Sequence, residues 1–241
     1  MQHLNEHQPY LHVGRASDLT GGDRLLYRFF ETIPALLSVG TLVFFIILSF
    51  FQPALVAYFT IGFSAYWLFK TIFLTIHLRH NFKRLHHHLS LDWNERLKTL
   101  HHEEVVHIVV FPFYKEPYEV LHASVQAVRD AHFTTKQIAV VLAAEERAGA
   151  DAVGVAERIK KEFQGSFLDV LVTVHPEGLS GEIPGKGSNI AYAAQEATRL
   201  IVDARSLPYE KVLVSAFDSD TVVYPDYFAC LSWYFLTTED P

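Results

Sequence analysis

The sequence predicts an α/β protein anchored in a membrane: an N-terminal transmembrane helical hairpin, then a domain built on a mainly parallel β-sheet. Three observations predict it. Apolar residues are concentrated between positions 33 and 78; from position 105 short β-branched runs alternate with helical stretches; and polar or special residues recur where the β-runs end. The mean hydropathy of +0.14 comes from the first of these, because the remainder of the 241 residues reads as an ordinary soluble sequence.

Ile33 to Phe51 is an uncharged apolar run of about 19 residues, enough at about 1.5 Å per residue to cross a hydrocarbon layer of about 30 Å. Gln52-Pro53 interrupts it, and Ala54 to Leu78 supplies a second run whose one charge, Lys70, is placed to snorkel toward an interface. Arg15, Arg24 and Arg28 precede the pair, Arg79, Lys83 and Arg84 follow it, and the connection has no basic residue. The positive-inside rule therefore places both ends, residues 1–32 and everything after 78, in the cytoplasm. A cleavable signal peptide is excluded, since roughly 30 mostly polar residues come before the first apolar run.

Residues 79–103 read as an interfacial linker. Phe82, Leu85, Leu89, Trp93, Leu97 and Leu100 recur at three- and four-residue spacing, opposite basic and histidine residues, which predicts one amphipathic helix lying along the bilayer surface. The chain has 14 histidines, clustered at 86–88 and 101–102. Such tracts can bind metal; placed beside Arg79, Lys83, Arg84 and Arg96, they suit an anionic lipid surface better. The formal net charge is −7 and no basic run is interleaved with aromatics, so nucleic acid is excluded as a partner. The single cysteine, Cys230, has no internal partner for a disulfide.

From residue 104 to 241 the chain reads as one α/β domain. Strands are predicted over Val105–Phe111, Ile138–Ala143, Leu168–Val174 and Val212–Phe217, and helices over Pro117–Ala131, Ala150–Phe163, Ser188–Ala204 and Pro225–Leu236. Alternation of this kind builds right-handed βαβ units, whose ligands bind at the carboxyl ends of the strands. Four such ends carry candidate residues: Tyr114-Lys115-Glu116 after Pro112, Glu145-Glu146-Arg147, His175 leading into Gly185-Lys186-Gly187-Ser188-Asn189, and Asp218-Ser219-Asp220.

Each of these has a plainer alternative. Asp218 and Asp220, two apart, lie on one side if the backbone there is extended, and together suit Mg²⁺ or Mn²⁺ bridged to a diphosphate; alone, the triplet is also an ordinary solvated turn. The glycine-bearing segment around Lys186 offers N–H groups, a helix start and an ammonium to an anion. It is not a P-loop, because Ser180 stands where that motif needs glycine and Gly187 where it needs Ser or Thr. Phe111 to Glu116 holds no glycine, which disfavours a dinucleotide-binding first turn. Glu145-Glu146 alone reads as a solvated pair; at a strand end, a carboxylate can accept an imide N–H or a ribose hydroxyl.

Taken in order, these motifs resemble family 2 glycosyltransferases over about residues 105–236. Phe111-Pro112-Phe113-Tyr114-Lys115-Glu116-Pro117 is similar to the family's first-strand Pro-Thr-Tyr-Asn-Glu-Pro, with Lys115 in place of Asn. Glu145-Glu146 fall where the family has an Asp-Asp pair at the nucleobase, Gly185 to Ala191 resembles its lysine loop, and Asp218-Ser219-Asp220 its metal-binding Asp-x-Asp. The resemblance implies the nucleotide-binding half of an A-type, Rossmann-like glycosyltransferase domain. It further implies a metal-dependent, inverting transfer from a nucleotide-diphosphate sugar to a glycan or lipid-linked acceptor at the cytoplasmic membrane face. Asp218 and Asp220 would hold Mg²⁺ or Mn²⁺ and the diphosphate and carry the catalytic role. Lys186 would neutralise phosphate, and Pro112, Tyr114, Glu116, Glu145, Glu146 and Asn189 would bind the rest of the donor. A UDP-sugar is favoured; the longer Glu145 and Glu146 leave guanosine open. A nucleotidyltransferase and a catalytically inactive, membrane-tethered nucleotide-sugar-binding protein are the rival readings. The family's catalytic base belongs to a later segment, so the expectation is that the base lies outside this chain, that the chain by itself transfers no sugar, and that Thr238-Glu239-Asp240 matches a family motif by chance.

Overall fold

A computed structural model describes residues 13–179 and 181–238; Glu239 and Asp240 of the Thr238-Glu239-Asp240 match lie outside them. The chain divides between Leu91 and Asp92 into two units.

The first unit is a helical hairpin. Asp18 ends a short turn over Ala16–Asp18 and accepts the Gly14 and Arg15 N–H groups at 3.0 Å each. Helix α1 spans Gly21–Phe51 and α2 spans Pro53–Leu89, with Gln52 alone between them and Pro53 at the first helical position, where its missing N–H costs nothing. Both are long and apolar enough to cross a membrane, and neither has its apolar stretch buried in the protein, unlike a core helix of a soluble protein. The rings of Phe45 and Phe59 stack across the hairpin at 4.3 Å. Ser38, Thr60, Thr71 and Thr75 return their hydroxyls to the carbonyl four residues earlier, so these groups carry no unmet bond in an apolar setting. Lys70 lies over the Trp67 ring at 4.6 Å and the Tyr66 ring at 5.9 Å.

The amphipathic stripe expected over 79–103 is divided. Phe82, Leu85 and Leu89 belong to α2, which continues without a break past Leu78, whereas Trp93 and Leu97 lie in a separate short helix, α3 (Trp93–Leu97), and are buried in the second unit. Asp92 starts α3 by accepting the Glu95 N–H at 2.9 Å, and Trp93 packs on Trp233 and Tyr234 at ring distances of 5.5 and 5.7 Å. The spacing was helical throughout, but a cap restarts the helix.

The second unit is α/β with a four-stranded, all-parallel sheet: β1 Val106–Pro112, β2 Ile138–Glu145, β3 Asp169–His175 and β4 Val212–Ala216, in the order β3-β2-β1-β4. Helices α4 (Tyr118–Arg129), α5 (Ala150–Glu162), α6 (Lys186–Ala197) and α7 (Tyr227–Thr237) intervene or follow. Gly149, at φ 90°, occupies a backbone region that only glycine enters cheaply and so admits the turn into α5. Alternate residues of β1 and β2 face opposite layers. Val109, Phe111, Val140 and Leu142 pack on Leu121 and Val125 of α4, Ala156 and Ile159 of α5 and Phe228 of α7; Ile108, Val110, Val141 and Ala143 pack on Ala193 and Ala197 of α6. The chain winds β1 to β2 to β3 in one direction, then returns across the opposite face through α6 to place β4 on the far side of β1. A right-handed crossover leaves no other face for α6 once the direction reverses.

Candidate functional site

The reversal of strand order makes the gap between the carboxyl ends of β1 and β4 a topological switch point, where open α/β sheets hold ligands. Pairing of the two strands stops at Val110 and Ala216, with one further bond from the Phe217 N–H to the Val110 carbonyl at 2.9 Å. Residue 112 faces the same side of the ladder as 110, and as a proline it has no N–H to extend that pairing. The β2 side continues through Pro112 and Ala143, and the Phe113 N–H reaches the Ala143 carbonyl at 3.0 Å. The two chains therefore part here, and Pro112 itself is buried in the sheet.

Glu116 ties the two sides of the gap together. Its Oε2 accepts the Tyr114 and Lys115 N–H groups at 2.6 and 2.9 Å, and its Oε1 accepts the Ser219 hydroxyl at 3.1 Å. Burial pushes the Glu116 carboxyl up, but the hydrogen bonds from the Tyr114 N–H, its own N–H, Ser219 and the Lys115 N–H outweigh it and hold the group below the usual glutamate range. Ser219 is buried, and its carbonyl accepts the Ser124 hydroxyl of α4 at 2.7 Å.

The capture of Ser219 corrects the expectation of extended backbone at Asp218-Ser219-Asp220. The triplet forms a turn closed by the Thr221 N–H on the Asp218 carbonyl at 2.9 Å. Ser219 is drawn inward, and Asp218 and Asp220 are both exposed. Across the gap, Lys186 at the start of α6 makes an ion pair with Asp218. Two motifs 32 residues apart in sequence thus meet in space, through a solvated pair of a kind that contributes only about 0–1 kcal/mol to stability.

The remaining candidates form a frame around this pair. Glu145, 5% exposed at the end of β2, is paired with Arg147, whose guanidinium lies 4.9 Å from the Tyr114 ring centre; the Lys115 ammonium also lies over that ring, at 5.0 Å. Glu146 is exposed and accepts the Glu177 N–H at 2.8 Å, joining the β2 and β3 ends. Asn189 faces the sheet instead of the gap: it is 1% exposed, donates from Nδ2 to the Ala143 carbonyl at 2.8 Å, and its Oδ1 has no partner. It fixes the seat of α6, and with it Lys186.

No protein-family model matches this chain, and no curated protein does either.

Three residues outside the expected donor-binding set also shape the site. Arg147, next in sequence to the Glu145-Glu146 pair, connects Glu145 to Tyr114. Ser124 had a signal, a hydroxyl on the buried stripe of α4 between Leu121 and Val125. His175 is buried with Nε2 2.7 Å from Glu182 Oε2 and its ring 5.2 Å from that of Tyr192, which restrains the loop leading to Lys186. Among the described residues no group of three or more His, Cys, Asp or Glu is arranged to hold a metal.

Proposed function

We propose that the strand ends of the α/β unit bind a nucleotide-diphosphate sugar, and that the chain is the donor-binding part of a membrane-anchored, inverting glycosyltransferase of the family 2 type. The observation that carries the proposal is the meeting of Lys186 with Asp218 at the switch point of a β3-β2-β1-β4 parallel sheet. A lysine at a helix start and an exposed pair of aspartates are the charges that a diphosphate with a divalent cation requires. The two apolar helices support work beside a lipid bilayer, and the basic residues at both ends of the hairpin support a cytoplasmic site.

The donor set fits a hard cation that arrives with its diphosphate. Asp218 and Asp220 are exposed carboxylates, and Mg²⁺ or Mn²⁺ is commonly held by one or two carboxylates together with phosphate oxygens and water. Bound there, such a cation supplies the positive charge that stabilises a departing diphosphate. The chain's own residues do the rest. Lys186, on giving up Asp218, would meet a phosphate, and Asp218 with Asp220 would hold the cation. Glu116 and Ser219 hold the β1 and β4 ends at fixed separation, so that this exchange costs little rearrangement. Tyr114, steadied by Arg147, presents a ring edge to a base, and the second oxygen of Glu146 suits a ribose hydroxyl. A UDP-sugar is the favoured donor and a glycan or lipid-linked molecule the acceptor.

Calorimetric titration of the full chain in detergent with UDP, GDP and their sugar conjugates, with and without Mn²⁺, tests the reading. Metal-dependent binding that Asp220→Asn abolishes supports it. Affinity unchanged by that substitution removes the metal site, and absence of binding by every nucleotide with and without Mn²⁺ removes the donor site.

A further inference from the structure

The basic and histidine residues in the last turns of α2, after its apolar run, take no part in the proposed site, and the structure shows how they are arranged. Helix α2 runs unbroken over 37 residues, Pro53–Leu89, about 55 Å at 1.5 Å per residue, where a hydrocarbon core of about 30 Å needs only some 20. With the apolar run ending at Leu78, a span that crosses the core would leave its last three turns in the headgroup layer and just beyond.

Those turns are segregated by face. Arg79, Lys83 and His87 recur every four residues, and His80 and Arg84 form the neighbouring row, while Phe82, Leu85 and Leu89 make a separate apolar stripe, 43–60% exposed. His86 packs its ring against Phe82 at 4.3 Å, on the border between the two faces. No carboxylate lies between Glu31 and Asp92, and among the described residues Arg79, Lys83 and Arg84 form no ion pair. A cationic face without counter-charge, joined end to end with an apolar span and beside an apolar stripe at the same depth, is complementary to one surface above all, a leaflet rich in anionic phospholipid.

We propose that Arg79, Lys83 and Arg84, with His80 and His87 beside them, form a binding face for anionic phospholipid headgroups. The apolar stripe seats the helix end among the upper acyl carbons, and the two basic rows bond the phosphates.

The test uses the purified full chain in neutral detergent, given equal amounts of phosphatidylglycerol and phosphatidylcholine with the same acyl chains, and counts retained lipid by native mass spectrometry. The wild type should retain phosphatidylglycerol over phosphatidylcholine by about tenfold, the scale of one or two basic side chains on an anionic surface. Arg79→Gln/Lys83→Gln/Arg84→Gln should lose that preference, while Arg79→Lys/Lys83→Arg/Arg84→Lys should keep it, as should Arg24→Gln/Arg28→Gln at the other end of the hairpin. Equal retention of the two lipids by the wild type overturns the proposal without recourse to any variant. So does a preference that survives the triple glutamine change, or one that disappears with Arg24 and Arg28.

Discussion

Lowering the pH from 7 to 4 should destabilise the α/β unit chiefly through His107. This residue sits on β1 with no exposed surface, its Nε2 2.8 Å from the Ser232 hydroxyl of α7 and its ring edge-on to Phe133 and Phe228 at 5.1 Å each. Its Nδ1 has no hydrogen-bond partner. An imidazolium needs an acceptor at both nitrogens and finds one, so burial lowers the group from its ordinary 6.5 to about 4. Because the folded value lies below the unfolded one, the unfolded chain binds the proton first. The neutral side chain's contribution is complete above pH 6.5 and is lost as the pH falls toward 4. At about 1.4 kcal/mol per pH unit, the loss reaches about 3 kcal/mol, a large share of the stability of a typical domain. Urea unfolding of the full chain in mild detergent, followed by the fluorescence of Trp93 and Trp233, should show this decline between pH 6.5 and 4, with a steeper fall below 4.5 as carboxylates join. In His107→Gln the decline above pH 5 should vanish, whatever that substitution costs at pH 7. A wild-type stability that stays flat from pH 7 to 5, or a variant that follows the same slope, would falsify the assignment.

Other outcomes follow from the same structure. Glu116→Gln sets an amide against acceptor positions that serve the Tyr114 and Lys115 N–H groups and Ser219; it should lower stability at pH 7 by about 1–2 kcal/mol, and the deficit should shrink below pH 4 as the wild-type carboxyl itself takes a proton, as urea titrations at the two pH values will show. Asp220→Asn should abolish Mn²⁺-dependent nucleoside-diphosphate binding with the unfolding midpoint unchanged. Lys186→Ala should weaken that binding by about 1–3 kcal/mol, read by calorimetry. Cysteines introduced at Arg24 and at Asp151 should both resist an impermeant thiol reagent in intact cells, and labelling of either would overturn the hairpin topology.

The two central strands were legible because parallel strands buried on both faces read as continuous β-branched runs, as in Val105 to Phe111 and Ile138 to Ala143, and the less buried edge strands β3 and β4 were legible from their own β-branched runs. Their order was not legible, since it depends on which face each crossover takes, and no local pattern records that β4 returns beside β1. Strand order is nevertheless what makes Glu116 and Ser219 neighbours. The turn at Asp218 departs from the expectation for a related reason: spacing places Asp218 and Asp220 on one side only if the backbone is extended, and the two bonds that capture Ser219 join it to Ser124 and Glu116, 95 and 103 residues earlier. The break in the amphipathic stripe, by contrast, had a local signal. Asp92 followed by Glu95 is a helix-start pattern, and it outweighs an apolar spacing that passes through it without a fault.

The charges at the switch point divide into those the fold has used and those it holds loosely. Glu145 is buried against Arg147, and the Glu116 carboxyl already accepts from Tyr114, Lys115 and Ser219, so a ligand that recruited either would first have to break internal bonds in a partly dry setting. Asp218 and Lys186 are 68% and 53% exposed and bonded to each other, and water can replace either partner at little cost. Exchange of partners is therefore confined to Lys186, Asp218 and the exposed Asp220, while Glu116, Glu145 and Asn189 keep their distances fixed. On the proposed reading, the buried residues among those assigned to donor binding would act by positioning the exposed ones, and the charge offered to a diphosphate would come from the tip of α6 and the turn after β4.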